Sequence, residues 1–110
     1  MISSNVTAFS SLRKKRKSEE IWYCREGWNG DSRDGQFING DGYHYFEMKG
    51  DGFIQKAYEY YETDDGEERV AIVPELVGIN WFSFFGFEDE ELLEAIAEHE
   101  FIYVEQLLKN

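Results

Sequence analysis

Tyr43–Val73 reads YHYFEMKGDGFIQKAYEYYETDDGEERVAIV, and this stretch decides the fold. Two clusters of turn residues, Lys49–Gly52 and Thr63–Gly66, divide it into three runs that contain aromatic and β-branched residues. Runs of this kind, bounded by turns containing Gly and Asp, are typical of antiparallel strands joined as hairpins. The stretch therefore predicts a three-stranded meander over residues 43–73 that ends at Pro74.

The middle run, Phe53–Glu62, alternates between two faces, and neither of them is purely apolar. One face is predicted to carry Phe53, Gln55, Ala57, Glu59 and Tyr61, and the other Ile54, Lys56, Tyr58, Tyr60 and Glu62. Mixed faces favour a twisted antiparallel sheet with one face covered and the other partly solvated.

Further elements are predicted on both sides of the meander. Ile21–Cys24 (IWYC) is a short aromatic run of the β type, and a second apolar run, Trp81–Phe87 (WFSFFGF), suggests another strand. After four acidic residues that favour a helix N-terminus, an apolar stripe predicts a C-terminal helix. The stripe consists of Leu93, Ala97, Phe101, Val104 and Leu108, and a break near His99–Phe101 is the alternative to one continuous helix.

These patterns together predict the fold class α+β. The expected architecture is a small twisted antiparallel sheet covered by a C-terminal helix or helices. The sheet consists of the meander 43–73 plus one or two further strands from 21–24 and 79–87.

The net charge of −12 combines two regions of opposite sign. Residues 1–17 contain five basic and no acidic side chains, whereas the rest of the chain carries 6 basic and 23 acidic ones, a net charge of −17. We therefore divide the chain into a basic N-terminal arm, 1–18, and a single acidic domain, 19–110. The acidic domain repels nucleic-acid phosphates and anionic lipid. Weak nucleic-acid binding is expected only through the arm residues Arg13, Lys14, Lys15, Arg16 and Lys17.

The same features predict a cytoplasmic protein without membrane association. No apolar stretch approaches the roughly 20 residues of a membrane span, and the positive run follows the first apolar residues instead of preceding an apolar segment. A single cysteine, Cys24, fits a reducing compartment.

No cofactor and no metal is expected. Cys24, His44 and His99 lie far apart in the sequence, without the close spacing of metal ligands. The Asp-rich loop 29–42 fails the calcium-loop spacing because Arg33 stands where an oxygen ligand is needed. An irregular cation site in that loop is left open as an alternative; its ligands would be Asp31, Asp34 and Asp41. Phosphate-binding glycine motifs are absent from the sequence.

The aromatic run at residues 81–87 has two interpretations. Its large apolar side chains either fill the core or form part of a partner-binding surface. The residues of this predicted interface are Trp81, Phe82, Phe84, Phe85 and Phe87.

The leading functional hypothesis is a small non-catalytic binding protein that uses aromatic and acidic surface, either to self-associate as a homodimer or to bind a protein partner. The first alternative is an acidic antagonist of a basic partner, such as an immunity protein or a mimic of nucleic-acid charge. The second is a small hydrolase or isomerase that uses carboxylate and tyrosine groups. That alternative requires four residues to share a pocket: His44, Tyr58, Tyr60 and Glu62.

Overall fold

A computed structural model describes residues 18–28, 32–33, 36–38, 42–85 and 93–109. Its strands are β1 (Ile21–Trp28), β2 (Ser32–Arg33), β3 (Gln36–Phe37), β4 (Gly42–Lys49), β5 (Phe53–Glu62), β6 (Glu68–Ile72) and β7 (Leu93–Ala95). Its helices are a 3-10 helix (Pro74–Leu76), α1 (Trp81–Phe85) and α2 (Glu98–Lys109). Five strands form one antiparallel sheet in the order β6-β5-β4-β1-β7, and β2 pairs with β3 separately. The predicted α+β class is confirmed.

The meander forms where the turn residues predicted it. Gly50 adopts a φ of +62° in the turn between β4 and β5, a conformation that favours glycine. The indole Nε1 of Trp22 donates to the Gly50 carbonyl at 2.8 Å, which ties β1 to this turn. At the next turn, the buried Thr63 exchanges hydrogen bonds with Glu67, including Thr63 N to Glu67 O at 2.8 Å.

A β-bulge changes the faces predicted for β5. Glu47 pairs with Lys56, but Met48 pairs with Ile54, so Gln55 is an extra residue in β5. The extra residue moves Ile54 to the opposite face from Lys56, where it is fully buried in the core. The prediction that Ile54 shares a face with Lys56 is therefore wrong, while the alternation holds from Lys56 to Glu62.

The segment Trp81–Phe85 is a helix, whereas a strand was expected within 79–87. Asn80 explains the difference, because its side-chain Oδ1 accepts the backbone N–H of Ser83 at 3.1 Å, as an N-cap residue does. The backbone N–H of Trp81 also donates to the Gly52 carbonyl at 2.8 Å, which fixes the start of α1 on the β4–β5 turn.

The apolar stripe predicted as one C-terminal helix begins with a strand instead. β7 pairs with Cys24–Glu26 of β1, and Leu93 is buried in the core. The helical spacing of Leu93 and Ala97 is therefore overridden by pairing with a distant strand. The helix itself, α2, begins at Glu98 and runs to Lys109.

The sheet has two chemically different sides. We call one the tryptophan side; its core residues are Trp22, Cys24, Phe46, Met48, Ile54, Ala57, Trp81, Phe82 and Leu93. We call the other the tyrosine side; it carries Tyr23, Tyr43, Tyr45, Tyr58 and Tyr60 and is crossed by α2, whose Phe101 and Val104 are buried against it. α1 covers the tryptophan side, and α2 covers part of the tyrosine side.

Candidate binding groove

A groove of about 560 Å³ lies between α2 and the tyrosine side. Tyr45 and Tyr60 form its floor. Its wall is the flank of α2 and includes His99, Glu100, Ile102 and Tyr103. The groove therefore combines aromatic and acidic groups.

The strand register brings the tyrosines of the floor together. Tyr43 pairs with Tyr60 and Tyr45 with Tyr58 across β4 and β5, so all four side chains emerge on one side. The rings of Tyr45 and Tyr60 contact edge to face, with centroids 5.9 Å apart. The floor is thus aromatic.

Glu68 of β6 holds two of the groove tyrosines by their hydroxyls. Tyr60 donates to Glu68 Oε2 at 2.6 Å, and Tyr103 donates to Glu68 Oε1 at 2.7 Å. Burial and the adjacent Glu68 carboxylate raise the pKa of Tyr60, and the hydrogen bond to Glu68 raises the pKa of Tyr103. Both phenols therefore stay protonated at neutral pH and act as donors.

Arg25 shows what kind of group the tyrosine side accommodates. Its guanidinium carbon lies 4.2 Å from the ring centroid of Tyr43 and 5.9 Å from that of Tyr45. It also donates to the Tyr45 hydroxyl at 3.1 Å and to Glu94 Oε1 at 2.7 Å. Burial alone would lower the pKa of Arg25, but the hydrogen bonds to Glu94 and Tyr45 raise it overall. The tyrosine side thus already holds one cation between rings and a carboxylate.

The other flank of α2 is closed by a separate polar contact. Glu105 Oε2 accepts from Lys56 Nζ at 2.8 Å and from the Tyr58 hydroxyl at 2.7 Å. Burial and the hydrogen bond to Glu105 raise the pKa of Tyr58. Phe101 stacks on Tyr58 with ring centroids 5.4 Å apart. These contacts fix the helix across the sheet and leave the groove on one flank.

The four residues predicted to share a pocket do not converge. Tyr60 lines the groove, and Tyr58 lies beneath α2. Glu62 lies on the same side of the sheet as Tyr60, because the two residues are two positions apart in β5. His44 lies on the opposite side of the sheet, with Glu26 at 3.7 Å and Glu59 at 3.8 Å from its ring nitrogens.

The predicted aromatic interface is accounted for only in part. Trp81 is fully buried and Phe82 is 6 % exposed, so both belong to the core and neither forms an exposed patch. The side chains of Phe84 and Phe85, and all of Phe87, lie outside the described residues. The same is true of the basic arm residues 13–17 and of the aspartates of the loop cation site.

Sequence reasoning identified Tyr60 but missed the other residues that build the groove. Tyr45 could have been identified from the alternation in β4, which places it across from Tyr58 once the strands are paired. Tyr103 and Glu100 could not have been identified from the sequence, because their position depends on the path of α2 over the sheet. Glu68 is recognised as a site residue only because its carboxylate accepts hydrogen bonds from the hydroxyls of Tyr60 and Tyr103.

Searches for sites and relatives give negative results. Within the described ranges, no group of three or more His, Cys, Asp or Glu side chains has an arrangement that would hold a metal ion. None of the helices in those ranges has the length and apolarity needed to cross a membrane. No protein-family model, curated protein or solved structure matches the chain.

Proposed function

We propose that this protein binds a basic, arginine-containing segment of a partner protein in the groove beside α2. The observation that carries the proposal is a concave surface that combines phenol rings with the Glu100 carboxylate, and whose Tyr60 and Tyr103 are both bonded to the carboxylate of Glu68. A guanidinium stacks on aromatic rings and forms paired hydrogen bonds with a carboxylate, so it suits both components.

Arg25 supports the choice of ligand. It places a guanidinium against Tyr43 and Tyr45 and pairs it with Glu94, on the same side of the sheet as the groove. The groove offers similar groups and shares Tyr45 with the Arg25 site. Tyr60 and Tyr103 add rings, Glu100 adds charge, and Glu68 is bonded to both added tyrosines. Among the described residues, no lysine or arginine forms an ion pair with Glu68 or Glu100.

The charge of the chain supports a basic partner over a second copy. Each copy has a formal net charge of −12, so self-association brings like charges together. A basic partner is instead attracted over long range, and its association rate falls as salt screens the field.

The protonation of the tyrosines supports binding over acid–base catalysis. The pKa values of Tyr58 and Tyr60 are raised by burial and by neighbouring carboxylates, so these phenols are poor bases at neutral pH. At the groove, Tyr60 presents its ring while its hydroxyl donates to Glu68.

The test measures binding of a decapeptide of alternating arginine and threonine by isothermal titration calorimetry. Glu100→Gln is compared with Glu75→Gln, because both remove one negative charge and only Glu100 lines the groove. Glu75 lies on the 3-10 helix, whose Leu76 packs on the tryptophan side. We expect Glu100→Gln to weaken binding about three- to fivefold and Glu75→Gln less than about 1.5-fold.

Two further measurements complete the test. Tyr103→Ala should weaken binding about three- to tenfold through loss of a ring contact, and affinity should fall steeply toward about 0.5 M salt. A peptide of alternating glutamate and threonine is the control ligand and should not bind. Equal effects of Glu100→Gln and Glu75→Gln would show attraction to overall charge and would reject the groove as the site.

A further inference from the structure

The strand β6 is an edge of the sheet. The hydrogen bonds at its two ends show which of its residues bond to β5 and which point away. The N–H of Val73 donates to the Ala57 carbonyl at 2.9 Å, and the N–H of Thr63 donates to the Glu67 carbonyl at 2.8 Å. In an antiparallel pair, bonded and non-bonded residues alternate. Odd-numbered residues of β6 therefore face β5, and the backbone groups of Glu68, Val70 and Ile72 point away from the sheet.

This edge has the features of a site for an added strand. It extends over five residues with a regular register to β5, and it contains no proline. Ile72, at its end, is 55 % exposed. Within the described part of the chain, β5 is the one strand that pairs with β6. The other edge, β7, is only three residues long.

Glu68 connects the free edge with the groove. Its backbone N–H and C=O point outward from β6, while its carboxylate lies on the tyrosine side and accepts the hydroxyls of Tyr60 and Tyr103. A strand added beside β6 places every second side chain on the tyrosine side. The residue opposite Glu68 then presents its side chain to that carboxylate, next to Tyr60 and Tyr103, which line the groove.

We infer that the basic segment binds as an additional strand on β6, with an arginine opposite Glu68 reaching into the groove. This inference rests on the proposed function and specifies how the partner binds: main-chain hydrogen bonds supply affinity, and the groove selects the side chain. The charge of this edge favours a basic strand over a second copy of the chain. Glu67 is already paired with Arg69, so Glu68 is the carboxylate of this edge that attracts a basic strand, whereas a second copy brings another −12.

The decisive variant is Ile72→Pro. The N–H of Ile72 points away from β5, so proline at this position removes an outward donor and no hydrogen bond within the sheet. Its side chain is more than half exposed, and the preceding Ala71 is extended, as a residue before proline prefers. Ile72→Ala is the matched control, because it shortens the side chain and keeps the N–H.

The experiment titrates the full chain and both variants with the arginine–threonine decapeptide at low salt, and repeats the titration with a peptide N-methylated at alternate residues. We expect Ile72→Pro and the N-methylated peptide each to weaken binding about tenfold or more, as loss of main-chain bonds requires. Ile72→Ala should bind within about twofold of the unchanged chain. Far-ultraviolet circular dichroism of the proline variant should match that of the unchanged chain.

The outcomes separate the two proposals. If Ile72→Pro binds the peptide as tightly as Ile72→Ala, strand addition is wrong and the groove proposal stands. If the unchanged chain does not bind the peptide at low salt, both are wrong. Sedimentation that shows a concentration-dependent dimer, lost in Ile72→Pro, would mean that a second copy occupies the edge and would overturn the basic strand.

Discussion

The two sides of the sheet bury different aromatic side chains in different chemical surroundings. All three tryptophans lie on the tryptophan side, where an apolar core is sealed by α1. Six of the seven tyrosines lie on the tyrosine side, where the hydroxyl of Tyr58 donates to Glu105 and that of Tyr60 donates to Glu68. The first side stabilises the fold through apolar burial. The second side stabilises it partly through hydrogen bonds between phenols and carboxylates, and it forms the groove.

The largest expected effect lies on the tryptophan side. Trp81→Ala removes a fully buried indole that contacts Phe82 edge to face, and it should lower the free energy of unfolding by about 3–5 kcal/mol. Urea unfolding followed by circular dichroism measures the loss. Tyr103→Ala, at a residue 52 % exposed, is the control on the other side and should cost less than about 1 kcal/mol. Similar losses for both would contradict the assignment of the core.

The tyrosine side should make the protein sensitive to alkali. The pKa values of Tyr58 and Tyr60 are raised in the folded state above the value of about 10 for an unfolded tyrosine. Their contribution to stability is therefore fully present below about pH 10 and is lost as the pH rises toward the folded pKa.

Unfolding free energies measured in urea across the alkaline range test this expectation. Tyr60→Phe should reduce the slope of stability against pH, because it removes one of the phenols that must ionise. Tyrosine absorbance in the native state should show phenols that titrate later than free tyrosine. An unchanged slope in Tyr60→Phe would mean that Tyr60 is not shifted.

A smaller effect is expected where α2 meets the sheet. Glu105→Ala removes the acceptor of both Lys56 and Tyr58, and it should cost about 1–2 kcal/mol, since Tyr58 is buried and Lys56 is partly exposed. Gln106→Ala changes the next position on the same helix and should cost less than about 0.5 kcal/mol. Thermal and urea unfolding measure both. Equal costs would show that the Glu105 contacts add nothing beyond helix formation.

The smallest expected effect concerns the basic arm. If its five basic residues compete for the acidic surface, changing Arg13, Lys14, Lys15, Arg16 and Lys17 together to Gln should increase the affinity for the arginine–threonine peptide about two- to fivefold. Glu100→Gln in the same background should still weaken binding. A decrease in affinity on neutralising the arm would contradict competition.

The parts of the fold that were predictable are those determined by local sequence. The turn residues at Lys49–Gly52 and Thr63–Gly66 defined the meander, because Gly and Asp at those positions suit few other structures. β7 and the bulge at Gln55 were not predictable, because both depend on pairing with a partner strand. The helix at Trp81–Phe85 depends on one capping side chain, Asn80, against a sequence rich in β-forming residues.

The candidate groove was predictable to a smaller degree. His44 pairs with Glu59 across β4 and β5. Strand alternation therefore places His44 on the opposite side of the sheet from Tyr58 and Tyr60, so the expected pocket does not form. The pairing of β4 with β5 places Tyr45 and Tyr60 together, but the direction of α2 determines which of its residues complete the groove. The apolar stripe marks Phe101 and Val104 as packing residues, but it does not specify the direction in which the helix crosses the sheet.

The segregation of the aromatic residues gives the molecule two separate optical reporters. Tryptophan emission, excited at the red edge of its absorption, originates from Trp22, Trp28 and Trp81 and therefore reports on the apolar side alone. The near-ultraviolet tyrosine bands come chiefly from the opposite side, where the groove lies. A ligand that enters the groove should perturb the tyrosine bands and leave the tryptophan emission nearly constant, so binding and unfolding are distinguishable without an added label.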